Sequence, residues 1–84
     1  MKKISVLGAG MVGSAIARDL KTRFDVTSYD AFDNNFELLN SFGIKTILSD
    51  LSKPENINNA VADADIVVNA LPGFMGFSTL KTII

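Results

Sequence analysis

The feature that most constrains this chain is a glycine pattern, G-x-G-x-x-G, that follows a short apolar segment and precedes an alanine-rich one. The three glycines are Gly8, Gly10 and Gly13. Their context predicts a β-strand over residues 3–7, a tight turn and a helix over residues 11–21. Gly8 permits the turn, Gly10 lets a diphosphate approach the backbone, and Gly13 lets the helix pack closely against the strand.

The predicted anion site consists of backbone groups. N–H groups in the first turn of the helix have no partner within the helix, and the helix dipole makes that end positive. No Lys or Arg lies between Lys3 and Arg18. Met11 and Val12 directly follow Gly10 and are candidates for the wall of the pocket.

The spacing of apolar residues in the first helix predicts which side is buried. We place Val12, Ala15, Ile16 and Leu20 on the buried face, and Ser14, Arg18 and Lys21 on the exposed face. For Val12, core packing is therefore the favoured interpretation over ligand contact.

The remaining chain alternates between strand-like and helix-like segments. Further strands are expected over residues 24–30, 44–48 and 66–70, where β-branched and aromatic residues are frequent. Asn34 with Glu37 predicts the start of a second helix that ends at Gly43, and Ser52 with Glu55 and Pro54 predicts the start of a third. The third helix should bury Ile57, Ala60, Val61 and Ala64, and a last helix should begin near Phe74 or Met75.

Four strands alternating with helices predict an α/β fold of the Rossmann type. Right-handed crossovers give a parallel sheet in the order 3-2-1-4 with helices on both faces. This is the first half of a dinucleotide-binding fold plus one strand, so we expect residues 1–84 to be a single truncated N-terminal domain of a longer enzyme. Ligands bind such sheets at the carboxyl ends of the strands.

Asp30 supplies the second part of the dinucleotide fingerprint. It lies 22 residues after Gly8, at the end of the second predicted strand, where a carboxylate accepts hydrogen bonds from ribose hydroxyls. The alternative is a solvated carboxylate that ends a strand. Since Asp33 is nearby and residues 31–44 contain no Lys or Arg, a 2′-phosphate should be repelled, which favours NAD over NADP.

Other candidate cofactor contacts follow the third and fourth strands. Asp50 would approach the adenine or, equally well, form a turn ahead of Ser52. Asn69 would bind a ribose or satisfy loop backbone. With Ala70 and Leu71, it ends the strand beside the first one. Tyr29 and Lys45 are interpreted as sheet packing and a solvated strand residue.

Composition excludes several functions. The chain has no Cys and no His, and its net charge is -1. These values argue against Cys- or His-based metal sites, nucleic-acid binding and association with an anionic membrane. No segment approaches the roughly 20 apolar residues of a membrane span. A cytoplasmic protein is therefore expected, and the exposed edges of a four-strand sheet also allow a homo-oligomer.

The chain resembles the N-terminal cofactor domain of the saccharopine dehydrogenase-like family. The resemblance is carried by residues 6–13, Tyr29-Asp30, residues 48–50 and above all the run from Asp65 to Phe74. It implies hydride transfer between NAD or NADP and a C–N bond of an amino acid, as in lysine metabolism, with the substrate held by a further domain. It implies cofactor contacts by Gly8, Gly10, Met11, Val12, Gly13, Asp30, Asp50, Asn69, Ala70 and Leu71, and identifies no catalytic residue.

Two other functions share parts of this pattern. A nucleotide-sensing module like that of potassium channels has the same glycine turn and acidic strand end, and performs no reaction. FAD or S-adenosylmethionine sites also begin with the glycine turn, although FAD sites commonly carry Glu where Asp30 stands. The residues 71–74, Leu-Pro-Gly-Phe, favour the dehydrogenase.

Overall fold

The computed structural model describes residues 1–71, and the strands in that range agree with the predicted ones to within one residue. The strands are β1 (Lys3–Leu7), β2 (Asp25–Asp30), β3 (Lys45–Leu48) and β4 (Ile66–Asn69), and the helices are α1 (Met11–Leu20), α2 (Phe36–Ser41) and α3 (Pro54–Ala62). The helix predicted to begin near Phe74 or Met75 lies outside the described residues.

All four strands are parallel, and their order is β3-β2-β1-β4, which confirms the predicted topology. In the register, Leu7 pairs with Tyr29 on one side and with Asn69 on the other. The carboxyl ends of β1, β2 and β4 therefore meet at one end of the sheet, where a switch-point ligand binds.

The sheet separates two apolar clusters. On one face, Ile4, Val6 and Val26 pack with residues of α1 and α2. On the other, Leu7, Tyr29 and Val67 pack with α3. Of the residues predicted to face inward on the third helix, Ile57, Ala60 and Val61 are buried on α3, and Ala64 is buried just beyond its end. Because β1 is apolar on both faces, it is the centre of the structure.

The predicted buried face of α1 is right for Ile16 and Leu20, which pack against the core, and wrong for its first turns. Val12 is 65% exposed and Ala15 is also exposed, whereas Ser14 is buried together with Gly13 and Ala17. The inward face is set by backbone contact at Gly13, and only small side chains fit beside that contact. Apolar character alone points to Val12, because it carries no information about how closely the helix approaches the sheet.

Two predicted helix caps are also wrong. The N-cap of α2 is Asn35 instead of Asn34, and the N-cap of α3 is Lys53 instead of Ser52. The Ser52 hydroxyl donates instead to Asp50 Oδ1, at 2.6 Å. Pro54 begins α3 as predicted, where its missing N–H costs nothing. Gly43 follows α2 with a φ of 80°, which confirms it as the predicted stop.

Two buried serines of the sheet differ in their partners, and this predicts opposite effects of replacing them. Ser5 Oγ donates to the Ala60 carbonyl oxygen at 2.9 Å, whereas Ser28 Oγ has no partner within the described part of the chain. We expect Ser5→Ala to lower the free energy of unfolding by about 1–3 kcal/mol, because it leaves a buried acceptor unpaired. We expect Ser28→Ala to leave it unchanged or raise it by up to about 1 kcal/mol. Urea unfolding of the two variants checks this, and equal losses would contradict it.

Residues 1–71 contain neither a membrane-spanning helix nor an acidic cluster suited to a metal ion. In that range no helix has the length and apolar character needed to cross a membrane. No group of three or more Asp or Glu side chains there could hold a metal ion. Lys45 is exposed at the start of the edge strand β3, as predicted.

Candidate dinucleotide-binding site

The glycine turn begins where β1 ends, and its first glycine has a conformation that other residues rarely adopt. Gly8 has a φ of 105°. Its N–H still belongs to the sheet, since it donates to the Tyr29 carbonyl oxygen at 2.7 Å. A Cβ at this position would lie 3.0 Å from the Ala70 carbonyl oxygen. Gly8 is therefore required by both the turn and the packing against the chain that follows β4.

Gly13 is required by contact between α1 and the turn. A Cβ built there would overlap the carbonyl oxygen of Gly8 and lie 2.8 Å from the carbonyl carbon. The methyl of Ala70 lies on the same side, at 3.4 Å. Helix α1 therefore begins directly against the turn, with its positive end at the carboxyl ends of the strands.

Gly10 differs from the other two glycines, because the fold does not require it. Its φ of -74° is accessible to any residue, and a Cβ built there would have no heavy atom of residues 1–71 within 4 Å. Met11 and Val12, which follow it, are 90% and 65% exposed. The first hydrogen bond of α1 runs from the Ser14 N–H to the Gly10 carbonyl, at 2.8 Å. The N–H groups of Gly10, Met11 and Val12 thus precede the helical ladder, and all three residues are exposed.

The carboxylate of Asp30 lies directly against this turn. Its Oδ2 accepts a hydrogen bond from the Ala9 N–H at 2.6 Å, and its Oδ1 accepts one from the Phe32 N–H at 3.1 Å. Two carboxylate oxygens offer about four lone-pair sites, so both retain acceptor capacity. The structure therefore brings the second part of the fingerprint to the first.

The residues that end β4 lie on the other side of the turn. Ala70 donates its N–H to the Leu7 carbonyl oxygen at 2.8 Å, and a side-chain carbon of Leu71 is 3.2 Å from the Cβ position of Gly8. Asn69 Oδ1 accepts the Leu71 N–H at 3.1 Å. This last contact is the one expected if the Asn69 side chain pairs with a backbone N–H of the loop. All three residues border the glycine turn.

Asp50 follows β3 and is engaged in its own turn. Its Oδ1 accepts hydrogen bonds from both the N–H and the hydroxyl of Ser52, at 3.0 and 2.6 Å. The hydroxyl contact first, and then the N–H, hold the pKa of the Asp50 carboxyl below its ordinary value. Asp50 therefore forms the predicted turn ahead of Ser52, and no described hydrogen bond connects it to the glycine turn.

Tyr29 is a packing residue. It is buried in the cluster on the α3 face. Burial raises the pKa of its phenol above the ordinary value, and a hydrogen bond with Ser5 opposes that effect. This environment agrees with the prediction of a sheet-packing role rather than proton donation.

Several residues of the site were missed by sequence reasoning. Ser14 Oγ and Asn35 Nδ2 both donate to the Ala9 carbonyl oxygen, at 3.0 and 2.6 Å. Phe32 and Leu48 have large exposed apolar side chains. Both are neighbours of Asp30, because the Phe32 N–H donates to the Asp30 carboxylate and Leu48 pairs with Asp30 in the strand register. An apolar residue just beyond a strand end that no helix can cover is the signal that could have indicated Phe32.

Solved structures share this fold. A variant of the imine reductase from Myxococcus stipitatus in complex with NAD+ matches with a TM-score of 0.67 and 22% identity, over 84% of this chain and 23% of that one. The TT0495 protein from Thermus thermophilus matches with a TM-score of 0.64 and 25% identity, over 84% of this chain and 34% of that one. The chain thus spans about a quarter to a third of the proteins it resembles in structure.

The family of the chain is shown by its sequence. Among curated proteins, no sequence matches it significantly. The family described as the saccharopine dehydrogenase NADP binding domain matches residues 4–84, nearly the whole chain. The match confirms the resemblance carried by the glycine turn and by the run that begins at Asp65. The chain therefore belongs to the saccharopine dehydrogenase NADP-binding domain family.

Proposed function

We propose that this chain is the NAD-binding domain of an oxidoreductase that acts on a C–N bond of an amino acid, of the saccharopine or lysine dehydrogenase type. Family membership supports a dinucleotide-binding module of such an enzyme. The rest of the enzyme, including the substrate-binding domain and the catalytic acid and base, would be contributed outside these 84 residues. We further propose that the enzyme is cytoplasmic.

The observation that carries the proposal is the glycine at position 10. Neither its φ of -74° nor its surroundings require a glycine. Glycine is also not the best N-cap residue, since Ser, Asp and Asn serve better. What a missing side chain does provide is access to the N–H groups at the start of α1, which suits a diphosphate. Met11 and Val12, both exposed, would border the same ligand.

The rest of the cofactor would lie across the ends of the strands. Asp30 would accept the hydroxyls of the adenosine ribose, and the exposed Phe32 and Leu48 beside it suit the flat faces of an adenine. Asn69, Ala70 and Leu71 border the turn on the side of β4, where the second ribose would lie. Once bound, the nicotinamide supplies the hydride acceptor or donor, while the residues of this chain bind and orient it.

The choice of NAD over NADP depends on charge. The family is named for NADP, yet a 2′-phosphate would lie close to the Asp30 carboxylate. Asp33 adds a second negative charge, and residues 31–44 offer no Lys or Arg to pair with a phosphate dianion. Repulsion between the 2′-phosphate and these carboxylates should lower the affinity for NADP several-fold to a hundredfold, on the order of 1–3 kcal/mol.

Calorimetry with NAD, NADP, FAD and S-adenosylmethionine tests the proposal. We expect NAD to bind with a dissociation constant in the micromolar range or weaker, because a domain of this size encloses only part of the cofactor. A preference for FAD or S-adenosylmethionine would contradict the proposal. A nucleotide-sensing module would bind NAD equally, so the protein that contains this domain must also be assayed for NAD reduction with amino-acid substrates.

Replacing Asp30 tests its assignment to the ribose. We expect Asp30→Asn to weaken NAD binding by about 10- to 100-fold, since hydrogen bonds to charged groups contribute about 1.5–3 kcal/mol. NADP should lose less, so the NAD-to-NADP affinity ratio should fall. Asp33→Asn is the matched control for NAD affinity, which it should leave unchanged, because it removes the same charge from an exposed position in the same loop. It should raise the affinity for NADP alone, since it relieves repulsion of the 2′-phosphate. An unchanged ratio in Asp30→Asn would show that the carboxylate does not bind the ribose.

A further inference from the structure

Both backbone groups of Ala9 are held by side chains from other parts of the fold. Its N–H donates to Asp30 Oδ2 at 2.6 Å, and its carbonyl oxygen accepts from Asn35 Nδ2 at 2.6 Å and from Ser14 Oγ at 3.0 Å. Ala9 itself is only 3% exposed. The residue in the middle of the glycine turn is thus fixed on β2, on α1 and on the start of α2.

Fixing the Ala9 carbonyl also fixes the N–H of Gly10. The two groups belong to one planar trans peptide unit and point in opposite directions. When donors on one side hold the oxygen, the Gly10 N–H is directed to the other side. That N–H is the first of the donors that have no partner within α1, and Gly10 is exposed in the part of the chain that the structure describes.

Asn35 is placed in an unusual way for this task. It is the N-cap residue of α2, yet its side chain makes no capping hydrogen bond to that helix. An Asn at this position normally accepts from an N–H of the first turn, which stabilises the helix by about 1 kcal/mol. Here the side-chain amide spans 26 residues of sequence to reach Ala9. Ser14 lies on α1 and moves with the turn, whereas Asn35 connects the turn to a separate element.

We propose that Asn35 is a positioning residue that sets the glycine turn for a dinucleotide diphosphate. It holds the Ala9 carbonyl so that the Gly10 N–H is aimed at the ligand, and it does not itself contact the cofactor. The ligand part of this inference rests on the proposed function, whereas the preset turn is a property of the protein alone. Asn35 would therefore affect ligands that carry a diphosphate and leave the nucleoside part unaffected.

Asn35→Ala and the isosteric Asn35→Asp test the proposal in the full chain. Asn34→Ala and Asn34→Asp are matched controls, since Asn34 is the exposed neighbour and the Asp variants carry the same added charge. Without ligand, we expect both Asn35 variants to shift the Gly10 amide resonance and to speed amide exchange of Ala9 by about tenfold, the effect of losing about 1.4 kcal/mol. Asn35→Asp should change both amides at least as much as Asn35→Ala, because its carboxylate places a second acceptor against the Ala9 carbonyl oxygen.

With ligand, we expect affinity for NAD to fall about tenfold in the Asn35 variants. Affinity for adenosine, followed by the same spectra, should stay within about twofold. Unchanged Ala9 and Gly10 amides would overturn the proposal, and so would equal losses for NAD and adenosine or equal effects of the Asn34 variants. If the unsubstituted chain does not bind NAD, the proposed function fails, while the amide measurements still decide whether Asn35 presets the turn. If Asn35→Ala does not fold, Asn35→Asp carries the same comparison.

Discussion

Gly10→Val is expected to reduce NAD affinity more than 100-fold while the protein remains folded. The valine would stand where the diphosphate must approach the N–H groups of α1, so the contacts of the ligand with the backbone are lost together. The described part of the fold has room for it, because none of its heavy atoms lies within 4 Å of a Cβ at this position and the φ is -74°. Val is a poor N-cap residue, and we expect a loss of about 1 kcal/mol in stability.

The measurement combines calorimetry with thermal unfolding. Gly10→Ala is the graded control, since its smaller side chain should cost less affinity at a similar stability. NAD affinity that survives Gly10→Val in a folded protein would show that no diphosphate lies over this residue. It would remove the observation on which the proposed function depends.

Gly13→Ala should have its main effect on stability. In an exposed helix this change stabilises by about 1 kcal/mol, because Ala has the better helix propensity. Here the new Cβ would overlap the Gly8 carbonyl oxygen. Helix α1 must then move away from the turn, and we expect a loss of about 3 kcal/mol or more. For a domain of this size, such a loss lowers the melting temperature by roughly 12–24 °C.

Gly43→Ala provides the comparison for Gly13→Ala. Gly43 also has a backbone conformation that alanine rarely adopts, since its φ is 80°. Among the described residues, a Cβ there would contact only the flexible end of Lys21, at 3.3 Å. We expect a loss of about 1–2 kcal/mol at that position. Equal or smaller destabilisation by Gly13→Ala would mean that α1 does not pack on the turn as closely as described.

The fold could be predicted because its signals are spread over many residues. Strand bounds followed from apolar runs such as Ile66 to Val68, and the inward side of α3 followed from the spacing of Ile57, Ala60 and Val61. The glycine pattern predicted a strand, a tight turn and a helix as the first three elements. These patterns tolerate local errors, because each depends on burial of a whole face.

The contacts that shape the site could not be predicted in the same way. Asn34 and Asn35 are adjacent and chemically identical, so only the path of the loop decides which one reaches Ala9. The apolar side chain of Val12 predicts an inward position, although the close approach at Gly13 turns a different side of the first turn of α1 to the sheet. Such choices depend on distances between elements, which local sequence does not contain.

The edge strand β3 bears on how copies of this chain would associate. It is only four residues long and begins with the exposed Lys45. A strand this short offers few free main-chain groups to a neighbour, and a second copy aligned along it would bring another lysine to the same edge. Within the sheet formed by residues 1–71, we therefore expect self-association to avoid extension of the sheet across β3.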